Sequence, residues 1–200
     1  MPVPLNVLIF GSSLCRDLAN LDERRVYTIR GIDVKFDYES FSGKGFEYFV
    51  DKTSNFDDIV ARKPDIILSI FGGNSISTRK SDQLHYHYAK SFYAILRRKL
   101  NRVSPSTIII ASEIPMRYVY NGYKNTPKPE IFKEIRHRIN LKIRNSNAKQ
   151  YLCRLEGKGR LDKRSMYRDG VHLTVQGQVR HFNIILRTLD YVLDKHYGVK

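Results

Sequence analysis

Two places in this 200-residue chain hold side chains that could attack a carbon or move a proton. Near the N-terminus, Gly11-Ser12-Ser13-Leu14 follows the apolar run Val7-Leu8-Ile9-Phe10. A serine at such a junction can cap a helix. It can also be a nucleophile, because a helix N-terminus stabilises developing negative charge. The tetrapeptide alone favours capping. Near the C-terminus, Asp169-Gly170-Val171-His172-Leu173 places a carboxylate three residues before an imidazole. A carboxylate so placed can hold Nδ1–H, fix the tautomer and leave Nε2 as a general base. Of the six histidines, only His172 has this partner at a strand–helix junction. His85 and His87 fall on a tyrosine-rich helix face, and His137, His181 and His196 read as helix-surface or boundary residues.

Two further segments could receive an anion. Ser42-Gly43-Lys44-Gly45-Phe46 can make a turn or expose a backbone N–H. Gly72-Gly73-Asn74-Ser75 follows a strong apolar run, and an Asn amide aimed into a cleft is a good oxyanion donor. No His/Cys/carboxylate cluster has metal-ligand spacing, so neither metal nor cofactor is expected. Cys15 and Cys153 lie far apart and read as free thiols.

The elements that must position these residues follow from the apolar pattern. Strand-like runs are Val7–Phe10, Val26–Ile29, Val34–Tyr38, Asp65–Phe71, Thr107–Ala111 and Gln150–Cys153, the second and third being weaker. Their continuous rather than alternating apolarity suggests cover on both faces. Between them lie helical patterns. Residues 81–102 carry Leu84, Tyr88, Phe92, Leu96 and Leu100. Residues 129–145 open on Pro129 and carry Ile131, Ile135, Ile139 and Ile143. A last helix is capped by Thr174, carries Val175, Val179, Phe182, Leu186, Leu189 and Leu193, and ends at Gly198. Strands alternating with helices predict an α/β fold of three layers, α/β/α, around a mostly parallel five-stranded sheet in one domain spanning 1–200. In such a sheet, ligands bind at the carboxyl ends of the strands, where strand order reverses. The loops 113–127 and 154–168 are long and basic, and the first holds Tyr118, Tyr120 and Tyr123.

The order and spacing of these blocks resemble the SGNH (GDSL-like) hydrolase superfamily over nearly the whole chain. Gly11-Ser12-Ser13 is similar to the family's Gly-Asp-Ser, and Ser42-Gly43-Lys44-Gly45-Phe46-Glu47 to its glycine block. Gly72-Gly73-Asn74-Ser75 is similar to its Gly-x-Asn-Asp. Asp169-Gly170-Val171-His172, with Leu173, Thr174 and Gly177 behind it, is similar to its Asp-x-x-His, the most specific of the four. The resemblance implies a flavodoxin-like fold and a carboxylic ester hydrolase of acetyl- or lipid-esterase type. Ser13 would be the nucleophile, His172 the base and Asp169 its orienter. An oxyanion hole would form from the Ser13 N–H, a glycine N–H and Asn74. Gly45 is favoured over Gly43 because it precedes the next helical pattern. Ser12 and Ser75 depart from the family, each standing where an Asp is usual.

The net charge is +15, and it is concentrated. Residues 97–168 hold nineteen Lys/Arg against five Asp/Glu, an excess of fourteen. Such a segment attracts polyanions, so nucleic acid or anionic lipid is an expected partner. The alternative function is therefore a weak or inactive SGNH-type module that binds through a basic face. SGNH-type esterase domains also occur in proteins encoded by some retrotransposons, where RNA or membrane contact would make sense. No apolar run reaches the roughly 18 residues of a transmembrane helix. The start lacks a basic leader pattern, so the chain reads as intracellular (cytoplasmic) or as a trimmed domain. Substrate and oligomeric state stay open.

Overall fold

Apolar β-branched runs too short for helices form the strands, and 3.6-periodic segments between them form the helices. A computed structural model describes residues 3–76, 80–117, 127–155, 161–162, 165–166 and 172–198. In chain order the elements are β1 (Leu5–Gly11), α1 (Ser13–Leu21), β2 (Val26–Ile29), β3 (Ile32–Ser40), α2 (Phe46–Val50), α3 (Asp57–Ala61), β4 (Ile66–Ile70), α4 (Asp82–Val103), β5 (Ile108–Ser112), α5 (Pro129–Arg144), β6 (Tyr151–Cys153) and α6 (Val175–Tyr197).

The sheet has six strands in the order β2-β3-β1-β4-β5-β6. Five of them, β3, β1, β4, β5 and β6, run parallel. The sixth, β2, lies antiparallel on the edge beside β3, with Ile29 opposite Ile32. The expected five-stranded sheet therefore gains an edge hairpin. Arg30 and Gly31 close it, both at positive φ (52° and 76°). Two-residue hairpin turns want that backbone, but Arg-Gly is a weak signal for it.

Successive side chains of each parallel strand point to opposite faces. Val7 and Ile9 of β1 pack with Leu14 and Leu18 of α1 and with Ile185 and Leu189 of α6. Leu8 and Phe10 pack the other way, with Phe46 and Phe49 of α2, Phe92 of α4 and Ile139 of α5. The result is the expected α/β/α sandwich. Among the described residues no helix is long and apolar enough to cross a membrane.

Helix ends follow local chemistry. Thr174 caps α6, its hydroxyl accepting the Gly177 N–H at 3.0 Å, and Gly198 ends it at φ 64°. The i+4 stripes hold only in part. Each i+4 step overshoots a full turn by about 40°, so a stripe drifts off the core. Leu84, Ile131, Val175 and Val179, at the leading ends, are exposed. The buried face of α6 instead includes His181, Ile184, Ile185 and Val192. His181 is thus not a surface residue.

Candidate functional site

In this strand order the direction of winding reverses between β1 and β4, and a cleft opens at their carboxyl ends. Gly11 ends β1 opposite Ile70 of β4. A Cβ on Gly11 would lie 2.5 Å from the Ile70 carbonyl oxygen, so only glycine permits this approach. The Ser12 N–H then donates to Ile70 O at 3.0 Å, and the chain enters α1. Ser12 is the N-cap residue but makes no side-chain cap bond. Ser13 is the first helical residue, so its N–H has no intrahelical acceptor. A small pocket is lined by Ser12, Ser13, Leu14, Ile70, Phe71, Gly73, Pro115 and Arg117. Cys15, two residues on, is a buried thiol. Burial pushes its thiol pKa up to about 12, and its Sγ lies 3.3 Å from Ile9 O.

The glycine block and the Asn74 turn meet beside this pocket. Gly43 sits at φ 75° with open space around it, in a turn closed by the Lys44 N–H on Phe41 O. Gly45 is the N-cap of α2. A Cβ there would lie 2.4 Å from Ser75 Oγ. Ser75 is buried and its Oγ accepts the Phe46 N–H at 2.7 Å, which ties the start of α2 to the 72–75 turn. Lys80 reinforces the tie through Glu47 Oε1 (2.9 Å) and Ser75 O (3.3 Å). Asn74 donates from Nδ2 to Lys44 O at 3.3 Å.

His172 immediately precedes Leu173 and Thr174 at the head of α6. Leu173 is buried and bridges to Met166, the Thr174 N–H donates to Ser165 O at 3.0 Å, and Gln178 Nε2 donates to Leu173 O. The helix it heads packs against α1, which Ser13 opens. Asp169 lies outside the described residues.

No family model and no curated protein matches the sequence. Solved structures do match. A GDSL-like lipase from Bacteroides thetaiotaomicron is 12% identical over 95% of this chain and 88% of its own, with a TM-score of 0.62. The lipase/acylhydrolase from Enterococcus faecalis is 13% identical over 94% and 96%, at 0.55. An acetylxylan esterase from Geobacillus stearothermophilus is 14% identical over 94% and 96%, at 0.56. The fold is that of the SGNH hydrolases.

Within this SGNH fold one residue at the cleft carried no site signal in the sequence. Arg117 stood only as a basic residue in a long loop. Its Nη2 donates to Asn74 Oδ1 at 2.6 Å, and its guanidinium lies 5.7 Å from the centre of the Phe132 ring. The segment before it is held firmly. Asn140 of α5 accepts the Ile114 N–H (2.8 Å) and donates back to Ile114 O (3.2 Å), and Arg136 also donates to Ile114 O. Buried Glu113 accepts from Arg144 and from the Leu155 N–H. The available signal was positional: the segment after β5 is the next strand end along from β4, so its residues border the same cleft.

Proposed function

We propose that this protein is a serine hydrolase acting on carboxylic esters, of acetyl- or lipid-esterase type. Ser13 Oγ attacks the carbonyl carbon while His172 Nε2 takes its proton. The tetrahedral oxyanion is received by the Ser13 N–H, the Gly45 N–H and Asn74 Nδ2. His172 then protonates the leaving alcohol, and water, activated by the same imidazole, frees the acyl group and restores Ser13. Asp169 orients His172.

One observation carries the reading. A serine at a helix N-terminus, on the switch point of the sheet, lines one pocket with Gly73, which opens the turn that carries Asn74. Solved neighbours described as a lipase, a lipase/acylhydrolase and an acetylxylan esterase support ester chemistry on this fold. The test is p-nitrophenyl acetate turnover by wild type, Ser13→Ala, His172→Ala and Asn74→Ala, with fluorophosphonate labelling of Ser13. Asn74→Ala is expected to lose about 100- to 1000-fold in kcat, the usual cost of one oxyanion donor. A wild type no faster than Ser13→Ala ends the reading.

A second reading is a module that binds nucleic acid or anionic lipid. Arg98, Arg102, Lys133 and Lys142 are exposed on α4 and α5, and none has an ion-pair partner among the described residues. RNA and DNA titrations across salt, with flotation on anionic vesicles, test it. Binding that is absent near physiological salt, or that ignores salt, counts against it.

A further inference from the structure

We infer that Arg117 is a positioning residue for the oxyanion hole: it fixes which end of the Asn74 amide faces the reacting centre. This rests on the esterase reading of the Ser13 site. A guanidinium carries donors only. The Asn74 atom 2.6 Å from Arg117 Nη2 is therefore the amide oxygen, and the NH2 group must face the other way. One of its two N–H bonds goes to Lys44 O, one residue before Gly45. The other is left to meet an oxyanion beside the Gly45 N–H.

Without Arg117, only the longer 3.3 Å bond from Nδ2 to Lys44 O holds the amide in this sense. Rotation of the amide by half a turn would put Oδ1 where the NH2 stood. A carbonyl oxygen there repels a developing oxyanion instead of stabilising it. The arrangement is rigid. Asn140 and Arg136 of α5 pin Ile114, three residues before Arg117. The guanidinium is packed against the Gly73 backbone, where a Cβ would come within 2.9 Å of Nη2. The face of Phe132 supports it from a third side. A surface arginine needs none of these contacts, and Arg117 is only partly exposed.

The experiment is a double-mutant cycle on kcat and KM for p-nitrophenyl acetate. It uses wild type, Arg117→Met, Asn74→Ala and the Arg117→Met/Asn74→Ala pair, with Arg117→Lys and Ser13→Ala beside them. Acting through Asn74, Arg117 cannot cost more than the amide itself. Arg117→Met is thus expected to lower kcat by about 10- to 100-fold, no more than the loss of the oxyanion donor itself, while KM stays within about threefold. In the Asn74→Ala background the same change is expected to do nothing further. Arg117→Lys, which can still donate to Oδ1, is expected to recover part of the rate; should the Met variant fail to fold, Arg117→Lys carries the same cycle. Wild-type kcat in Arg117→Met, an equal loss with and without Asn74, or a loss confined to KM would each overturn the inference while the esterase reading stands. A wild type no faster than Ser13→Ala removes both.

Discussion

At the residue scale, the two serines that stand where the SGNH pattern has Asp have different consequences. Ser75 has a definite task here. It accepts the buried Phe46 N–H and sets the distance between the Asn74 turn and the start of α2. Gly45 must remain glycine because Ser75 Oγ fills the space a Cβ would need. Ser75→Ala leaves that N–H without its acceptor, so urea unfolding is expected to show a loss of about 1–3 kcal/mol. An unchanged midpoint would mean that the amide finds another partner. Ser12, by contrast, is held by its backbone alone in the contacts described: its N–H donates to Ile70 O and its carbonyl accepts from Ser40 Oγ. Its hydroxyl therefore does not replace a supporting carboxylate in the turn before Ser13.

At the scale of elements, α1 and α6 form one side of the sandwich and carry Ser13 and His172 at their N-terminal ends. The far end of α1 is anchored by Asp22, whose carboxylate accepts from Tyr27 (2.8 Å), Tyr38 (2.6 Å) and the Arg25 N–H. The α6 helix carries a weakness in its buried face. His181 is fully buried, and neither ring nitrogen has a hydrogen-bond partner among the described residues. Burial lowers its pKa from 6.5 to about 4, so the folded protein holds it neutral. Below pH 6.5 the unfolded chain takes up a proton that the folded one refuses. Stability should fall as the pH drops from 6.5 to 4, by about 3 kcal/mol from this group, and no further below. His181→Leu is expected to remove that share of the pH dependence. Urea midpoints at pH 7.5 and pH 4.5 for both proteins would show it, and parallel curves would refute it.

At the scale of the whole molecule, the exposed basic residues of α5 and the candidate site occupy separable regions. Lys133 and Lys142 project from α5, while the cleft opens between the ends of β1 and β4. If the basic face binds RNA, Lys133→Glu with Lys142→Glu should weaken it and flatten its salt dependence, while p-nitrophenyl acetate turnover stays at the wild-type level. Turnover falling with RNA affinity would show that the two regions are coupled. The sheet and its helices were legible in the sequence because the central parallel strands β1, β4 and β5 are buried on both faces, leaving runs such as Ile66–Leu68 and Ile108–Ile110 with no polar interruption. The caps at Thr174 and Gly198 were legible for a similar reason, since local chemistry dictates them. Asp169 lies outside the described residues, so its part rests on the sequence motif alone. The sequence by itself thus determined the layers, the order of elements and the residue types at each strand end. Tertiary structure alone decided the edge hairpin, the burial of His181, the choice between a turn at Gly43 and a close approach at Gly45, and the contact of Arg117 with Asn74. Each of these depends on which segments meet across the sheet. That distance is set by packing between residues 29 and 43 positions apart, as in Phe46 with Ser75 and Asn74 with Arg117, and no local pattern encodes it.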